Sequence, residues 1–116
     1  MITREAAAAK IRPICLKYKN LLNRVILFGS YSRGEQTEHS DIDLYIESPH
    51  TTGKALTSRD FRNFEYDLHD AFDNLLSFDL LLFGGKRDLA QVQKSPLYQQ
   101  ISKDGVLLYD KSSETV

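Results

Sequence analysis

The chain has 116 residues, of which 41% are hydrophobic and 27% charged, and its formal net charge is −1. These values describe one compact domain over 1–116 and exclude a disordered polyelectrolyte or the strongly basic surface of a general nucleic-acid binder. Cys15 is the sole cysteine, so an internal disulfide is excluded, and no apolar run nears the length of a membrane span or forms a signal-peptide core; the protein is read as cytoplasmic, with no membrane partner.

The expected elements follow in chain order. Thr3 caps a helix that starts at Arg4-Glu5 and carries the apolar stripe Ile11, Ile14, Cys15, Tyr18, Leu21 and Leu22, with Pro13 kinking or restarting it. Arg24 to Phe28 is a short apolar run ending at Gly29 and reads as a buried strand, followed by a small helical turn. Ile42 to Glu47 alternates, with Ile42, Leu44 and Ile46 on one face and Asp41, Asp43 and Tyr45 on the other. Residues 48–53, with Pro49 and Gly53, read as loop.

Thr57 and Asp60 resemble a capping box that opens a helix with the apolar face Phe61, Phe64, Leu68, Ala71, Phe72 and Leu75. Phe78 to Phe83 is nearly all apolar and is expected as a central strand ended by Gly84-Gly85. A short helix over Asp88 to Gln93 comes next. A further helix has Ser95 as its cap and Pro96 in its first turn, and it stops near Gly105. Val106 to Tyr109 is the last strand, and 111–116 is expected as a frayed tail. The order α-β-β-α-β-α-β points to an α/β (α+β) domain: a small mixed sheet of about four strands with helices packed on it.

Charge is unevenly spread along the chain. Residues 1–33 hold seven Lys or Arg against Glu5 alone, whereas residues 34–83 hold eleven Asp or Glu against Lys54, Arg59 and Arg62. The acidic middle suits divalent cations, and the basic first third suits phosphates or an acidic partner.

Chemistry concentrates between Gly29 and Asp43. Asp41 and Asp43 are two apart on a strand, so their carboxylates leave one face and can converge on a hard cation such as Mg²⁺. Asp79, which opens an otherwise apolar strand, is the candidate third ligand, because a carboxylate there is costly to bury without a cation or a donor. Three such carboxylates suit two cations about 4 Å apart, and Asp79 is also a candidate general base. Gly29 permits close backbone approach to a phosphate, Ser30 adds a hydroxyl donor, and Arg33 lies within reach of a triphosphate oxygen. Either motif alone is a common turn or surface pattern; their conjunction points to nucleotidyl transfer. His39 reads as a loop residue, and Tyr31 and Tyr45 read as packing residues.

Gly29-Ser30, ten residues, then Asp41-Ile42-Asp43 resembles the signature of the polymerase-beta-like nucleotidyltransferase superfamily. With Phe78-Asp79-Leu80-Leu81 and Gly105-Val106-Leu107-Leu108-Tyr109, the chain is most similar to the minimal nucleotidyltransferases over roughly residues 14–110. The resemblance implies the polymerase-beta-like fold, Mg²⁺ held by Asp41, Asp43 and Asp79, and a nucleoside triphosphate, with ATP foremost, held by Gly29 and Ser30. It further implies a HEPN-domain ribonuclease toxin as partner, silenced by transfer of AMP to a tyrosine hydroxyl. Larger relatives carry an additional acceptor-holding domain, so the acceptor here is expected on another polypeptide. A binding antitoxin without catalysis, and a small-molecule transferase of the aminoglycoside type, stay open as alternatives. Base preference, oligomeric state and the partner-facing surface are not read from the residues.

Overall fold

The computed structural model describes residues 2–114. Helix α1 spans Arg4–Lys17, and the Thr3 hydroxyl accepts from the Ala6 amide as its cap. The helix runs on through Pro13 and ends five residues before Leu22; a 3-10 turn over Lys19–Leu21 carries the chain into the sheet. Strand β1 is Arg24–Phe28 and β2 is Ile42–Ser48. Helices α2 (Thr52–Thr57) and α3 (Arg59–Ala71) follow, then β3 (Phe78–Gly84), α4 (Lys86–Val92), α5 (Pro96–Asp104) and β4 (Val106–Asp110). The expected tail begins as a 3-10 turn over Lys111–Glu114, and residues 115–116 lie outside the described residues.

The sheet is mixed, in the order β3-β2-β1-β4, with β1 antiparallel to both neighbours and β2 parallel to β3. Helices cover both faces. On one, Ala7, Ile11 and Cys15 of α1 and Phe61, Phe64 and Leu68 of α3 pack on Val25, Leu27, Ile42, Leu44 and Ile46. On the other, Val92 of α4 and Ile101 of α5 pack on Ile26 and Tyr45. Burial pushes the Cys15 thiol up to about 12, so it is an inert core residue. Among the described residues no helix is long and apolar enough to cross a membrane.

Several elements depart from expectation for identifiable reasons. β3 is an edge strand, not a central one: its apolar run reflects helices on both faces of the sheet and says nothing about lateral neighbours. The cap of α3 is Ser58, whose hydroxyl accepts from the Phe61 amide at 3.0 Å. Thr57 instead ends α2, a helix within a stretch read partly as loop, and donates its hydroxyl to the Gly53 carbonyl. Leu75 lies beyond the end of α3 and is 81% exposed, because Asp73 and Asn74 both take left-handed backbone angles and turn the chain away from the helix axis. The segment after β1 is a set of hydrogen-bonded turns rather than a helix.

A polar cluster is built into the second apolar layer. Glu47 is 3% exposed and accepts from the Tyr45 hydroxyl (2.6 Å) and from Gln93 Nε2 (3.1 Å). Arg24 Nε lies 3.8 Å from Glu47 and 3.5 Å from Asp110, and its Nη1 donates to the Tyr98 hydroxyl at 2.6 Å. The cluster joins β1, β2 and β4 to α4 and α5 at the end of the sheet remote from Asp43.

Candidate active site

The strand register assembles the site. Phe28, Asp43 and Asp79 form one row across β1, β2 and β3. Neighbouring strands lie about 4.8 Å apart and in-register residues share a face, so Asp43 and Asp79 are side by side. Asp41 lies two residues before Asp43 and is exposed, as is Asp79, while Asp43 is half-buried. Burial, then the charges of Asp79 and Asp41, push the Asp43 carboxyl above the usual carboxylate range; the Arg33 guanidinium opposes them.

Gly29 sits against this carboxylate. Its φ is +76°, and a Cβ there would collide with Asp43 Oδ2. Both the conformation and the close approach require glycine. Gly29→Ala is therefore expected to cost about 1–3 kcal/mol, from left-handed strain and a displaced carboxylate, and to abolish transfer. Thermal unfolding beside an activity assay checks this; wild-type Tm and rate in the variant would reject the contact.

The turn that follows is pinned from three sides. Tyr31 is buried in the first apolar layer. The Ser32 hydroxyl donates to the Gly29 carbonyl at 2.8 Å. Arg4 Nη1, from the first turn of α1, donates to the Ser32 carbonyl at 3.0 Å. Ser30 is half-buried directly after Gly29, and its carbonyl accepts from the Glu35 amide, closing the turn. Arg33 is exposed and pairs with Glu35 at 2.7 Å, so it must exchange that partner to reach a phosphate. His39 is exposed in the loop, and Tyr45 is buried, as expected for residues outside the chemistry.

Arg4 and Ser32 were not singled out from the sequence. Arg4 lies 28 residues from Ser32 and looks like any surface cation in a first helical turn. Arg4→Ala is expected to leave Tm within a few degrees, because its other partner is exposed Glu5, yet to raise KM for nucleotide about threefold to tenfold with kcat near wild type. Steady-state kinetics separate the two parameters.

Among the described residues, no three His, Cys, Asp or Glu side chains already close around one point. The arrangement is instead a carboxylate pair with a third carboxylate alongside, and the charges of Asp79 and Asp41 both bear on Asp43. An all-oxygen, like-charged set of this kind fits Mg²⁺, which keeps several waters and takes substrate phosphate oxygens rather than filling a protein cage. A cation would relieve the repulsion among these carboxylates.

Comparison with known proteins gives the family of the chain. Residues 9–114 match the family model described as Polymerase beta, Nucleotidyltransferase. MJ0128 of Methanocaldococcus jannaschii, provisionally named a protein adenylyltransferase, is 34% identical over 84 residues, covering 66% of this chain and 78% of that protein. Two further proteins of that organism are more similar locally, but the match spans only 30% and 45% of their lengths. Among solved structures, a mutant of the toxin-antitoxin MntA-HpeT superposes with a TM-score of 0.60 at 23% identity, covering 92% of this chain and 76% of that one. A toxin-antitoxin crystallised with AMP-PNP superposes equally well, at a TM-score of 0.60 and 24% identity over the same shares of the two chains. At these identities the superpositions establish a shared fold.

Proposed function

Because the chain belongs to the polymerase beta nucleotidyltransferase family, we propose that it transfers AMP from ATP to a hydroxyl on a partner protein. The observation that carries this reading is the adjacency of Asp43 and Asp79 in strand register, with Gly29 packed against the Asp43 carboxylate. Asp41, Asp43 and Asp79 would hold Mg²⁺, which neutralises charge on the triphosphate when bound. Gly29 and Ser30 hold the phosphates at the turn that Tyr31, Ser32 and Arg4 keep in place. Arg33 exchanges Glu35 for a phosphate oxygen.

The acceptor oxygen then forms a bond to the α-phosphorus as the bridging P–O bond to the β-phosphate breaks. Its proton passes to the Asp79 carboxylate, and pyrophosphate departs with the bonding pair. The provisional naming of MJ0128 as a protein adenylyltransferase supports a protein acceptor. The toxin-antitoxin superpositions support a toxin as that protein, and we take a HEPN-domain ribonuclease as the partner.

The test incubates the chain with Mg²⁺, each α-labelled nucleoside triphosphate and a HEPN-domain ribonuclease. Label is expected on the ribonuclease from ATP, with pyrophosphate released and EDTA abolishing both. Absence of label and of pyrophosphate from every nucleotide rejects the transfer. Silencing of the ribonuclease without any label would assign inhibition to complex formation.

A further inference from the structure

The two edges of the sheet are treated differently. β4, on one edge, has five residues, and Arg12 of α1 donates to its Leu107 carbonyl at 3.3 Å. A short strand with a basic side chain over its carbonyls discourages strand addition. β3, on the opposite edge, has seven residues, Phe78-Asp79-Leu80-Leu81-Leu82-Phe83-Gly84, without Lys, Arg or Pro. It pairs with β2 alone, so alternate residues turn their N–H and C=O groups outward. Among the described residues no other element hydrogen-bonds to that edge.

Phe78 and Leu80 through Phe83 are each only half-buried. Leu81 belongs to neither apolar cluster, and it shares the face of Asp79 two residues away. The edge carries opposite charges at its two ends. Asp79 stands at its start, and Lys86 and Arg87, both exposed, stand just beyond its end.

We propose that the outer edge of β3 is the acceptor-docking site. An extended segment of the partner protein adds to it as an antiparallel strand, with a hydroxyl side chain beside Asp79 and acidic residues beside Lys86 and Arg87. At about 3.4 Å per residue, the acidic residues precede the hydroxyl residue by about six positions. This mode uses main-chain hydrogen bonds for affinity and lets the strand register fix which hydroxyl reaches the α-phosphorus. It rests on the transfer proposed above.

A second copy of this chain fits the edge less well. Added antiparallel about Leu81, it sets each Asp79 opposite the other copy's Phe83, laying an aromatic ring over a carboxylate that the transfer uses. An acceptor strand sets a hydroxyl there instead.

The test uses the full chain with a synthetic peptide, Glu-Glu-Val-Gln-Val-Gln-Tyr, and the same peptide N-methylated on alternate backbone amides. With the first peptide, alternate amides over 80–83 are expected to exchange hydrogen at least tenfold more slowly, and AMP is expected on its tyrosine. With the N-methylated peptide neither is expected. Leu81→Lys should reduce transfer to the peptide at least tenfold while Tm and nucleotide binding stay at wild type, and Leu81→Thr should retain transfer.

Transfer that ignores N-methylation, or that leaves these amides unprotected, overturns the docking site, as does failure of the peptide to bind at millimolar concentration. A free chain that is already dimeric, with these amides protected until Leu81→Lys releases them, assigns the edge to a second copy and overturns it too. Protection without AMP on the peptide would uphold the docking site and count against the transfer reaction instead.

Discussion

Asp43→Asn is expected to lower AMP transfer by about 10³-fold or more while leaving the protein as stable as before or more so. The two effects share one cause. Asp43 is half-buried and close to the charges of Asp79 and Asp41, so its ionised form is repelled by its neighbours. A neutral amide of the same shape keeps the contact with Gly29 and removes that repulsion. The same change removes a ligand charge from the proposed cation site and from the transition state, where a single preorganised electrostatic group is worth roughly 10²–10³ in rate and a metal ligand more. Transfer measured with saturating ATP and Mg²⁺, beside thermal unfolding, decides it. Retention of more than a tenth of wild-type transfer would remove Asp43 from the chemistry. A large drop in Tm would make it a structural residue.

Arg24→Met carries the largest expected cost in stability. Glu47 is buried, and Arg24 is the cation nearest to its carboxylate, at 3.8 Å. Tyr45 and Gln93 donate hydrogen bonds to Glu47 but do not neutralise it. Removing one partner of a buried pair costs about 3–5 kcal/mol, chiefly because the other charge is left uncompensated. Here the cost is expected nearer 2–3 kcal/mol, because 31% of the Arg24 side chain remains in solvent and screens the pair. For a domain of this size that corresponds to a fall in Tm on the order of 10 °C. The decisive comparison is Arg24→Met with Glu47→Gln. A glutamine still accepts from Tyr45 and carries no charge, so the double variant should be more stable than Arg24→Met alone. Equal Tm values in the single and double variants would show that charge compensation is not what Arg24 supplies. Transfer activity of the folded variants should remain, since this cluster lies at the end of the sheet remote from Asp43.

Local signals served well where the physics is local. The caps at Thr3 and Ser95, the strand from Arg24 to Phe28 and the glycine stop at Gly105 each depend on a few adjacent residues, and each stands where the sequence placed it. The position of β3 in the sheet was not readable in this way. Leu80 and Leu82 pack in one apolar layer and Phe83 in the other, so the run records helices on both faces, while lateral order depends on which strands pair. The start of α3 lies one residue after the cap expected at Thr57, because Thr57 and Ser58 are both good caps and only the packing of Phe61 and Phe64 sets which one is used, while α2 was not expected at all. Leu75 continued the helical period of α3, yet left-handed Asp73 and Asn74 ended the helix first.

The same division holds for the site. Gly29, Ser30, Asp41 and Asp43 are legible as candidates because their placement follows from spacing along two consecutive strands. Asp79 is legible as an anomaly, a carboxylate at the head of an apolar strand, but its registry with Asp43 is a property of the parallel pairing. Arg4 and the Arg24–Glu47 cluster are invisible locally, since their partners lie 20 or more residues away and become neighbours only through the sheet.

By itself the sequence determined the reaction type and the elements that carry it, because caps, turns and a two-residue carboxylate spacing act within a few residues of the chain. The tertiary structure decided which carboxylates meet, which arginine braces the turn after β1 and which sheet edge stays open among the described residues. Those are set by strand order and register, and the free energy that fixes register comes from burying whole faces of the sheet under α1, α3, α4 and α5.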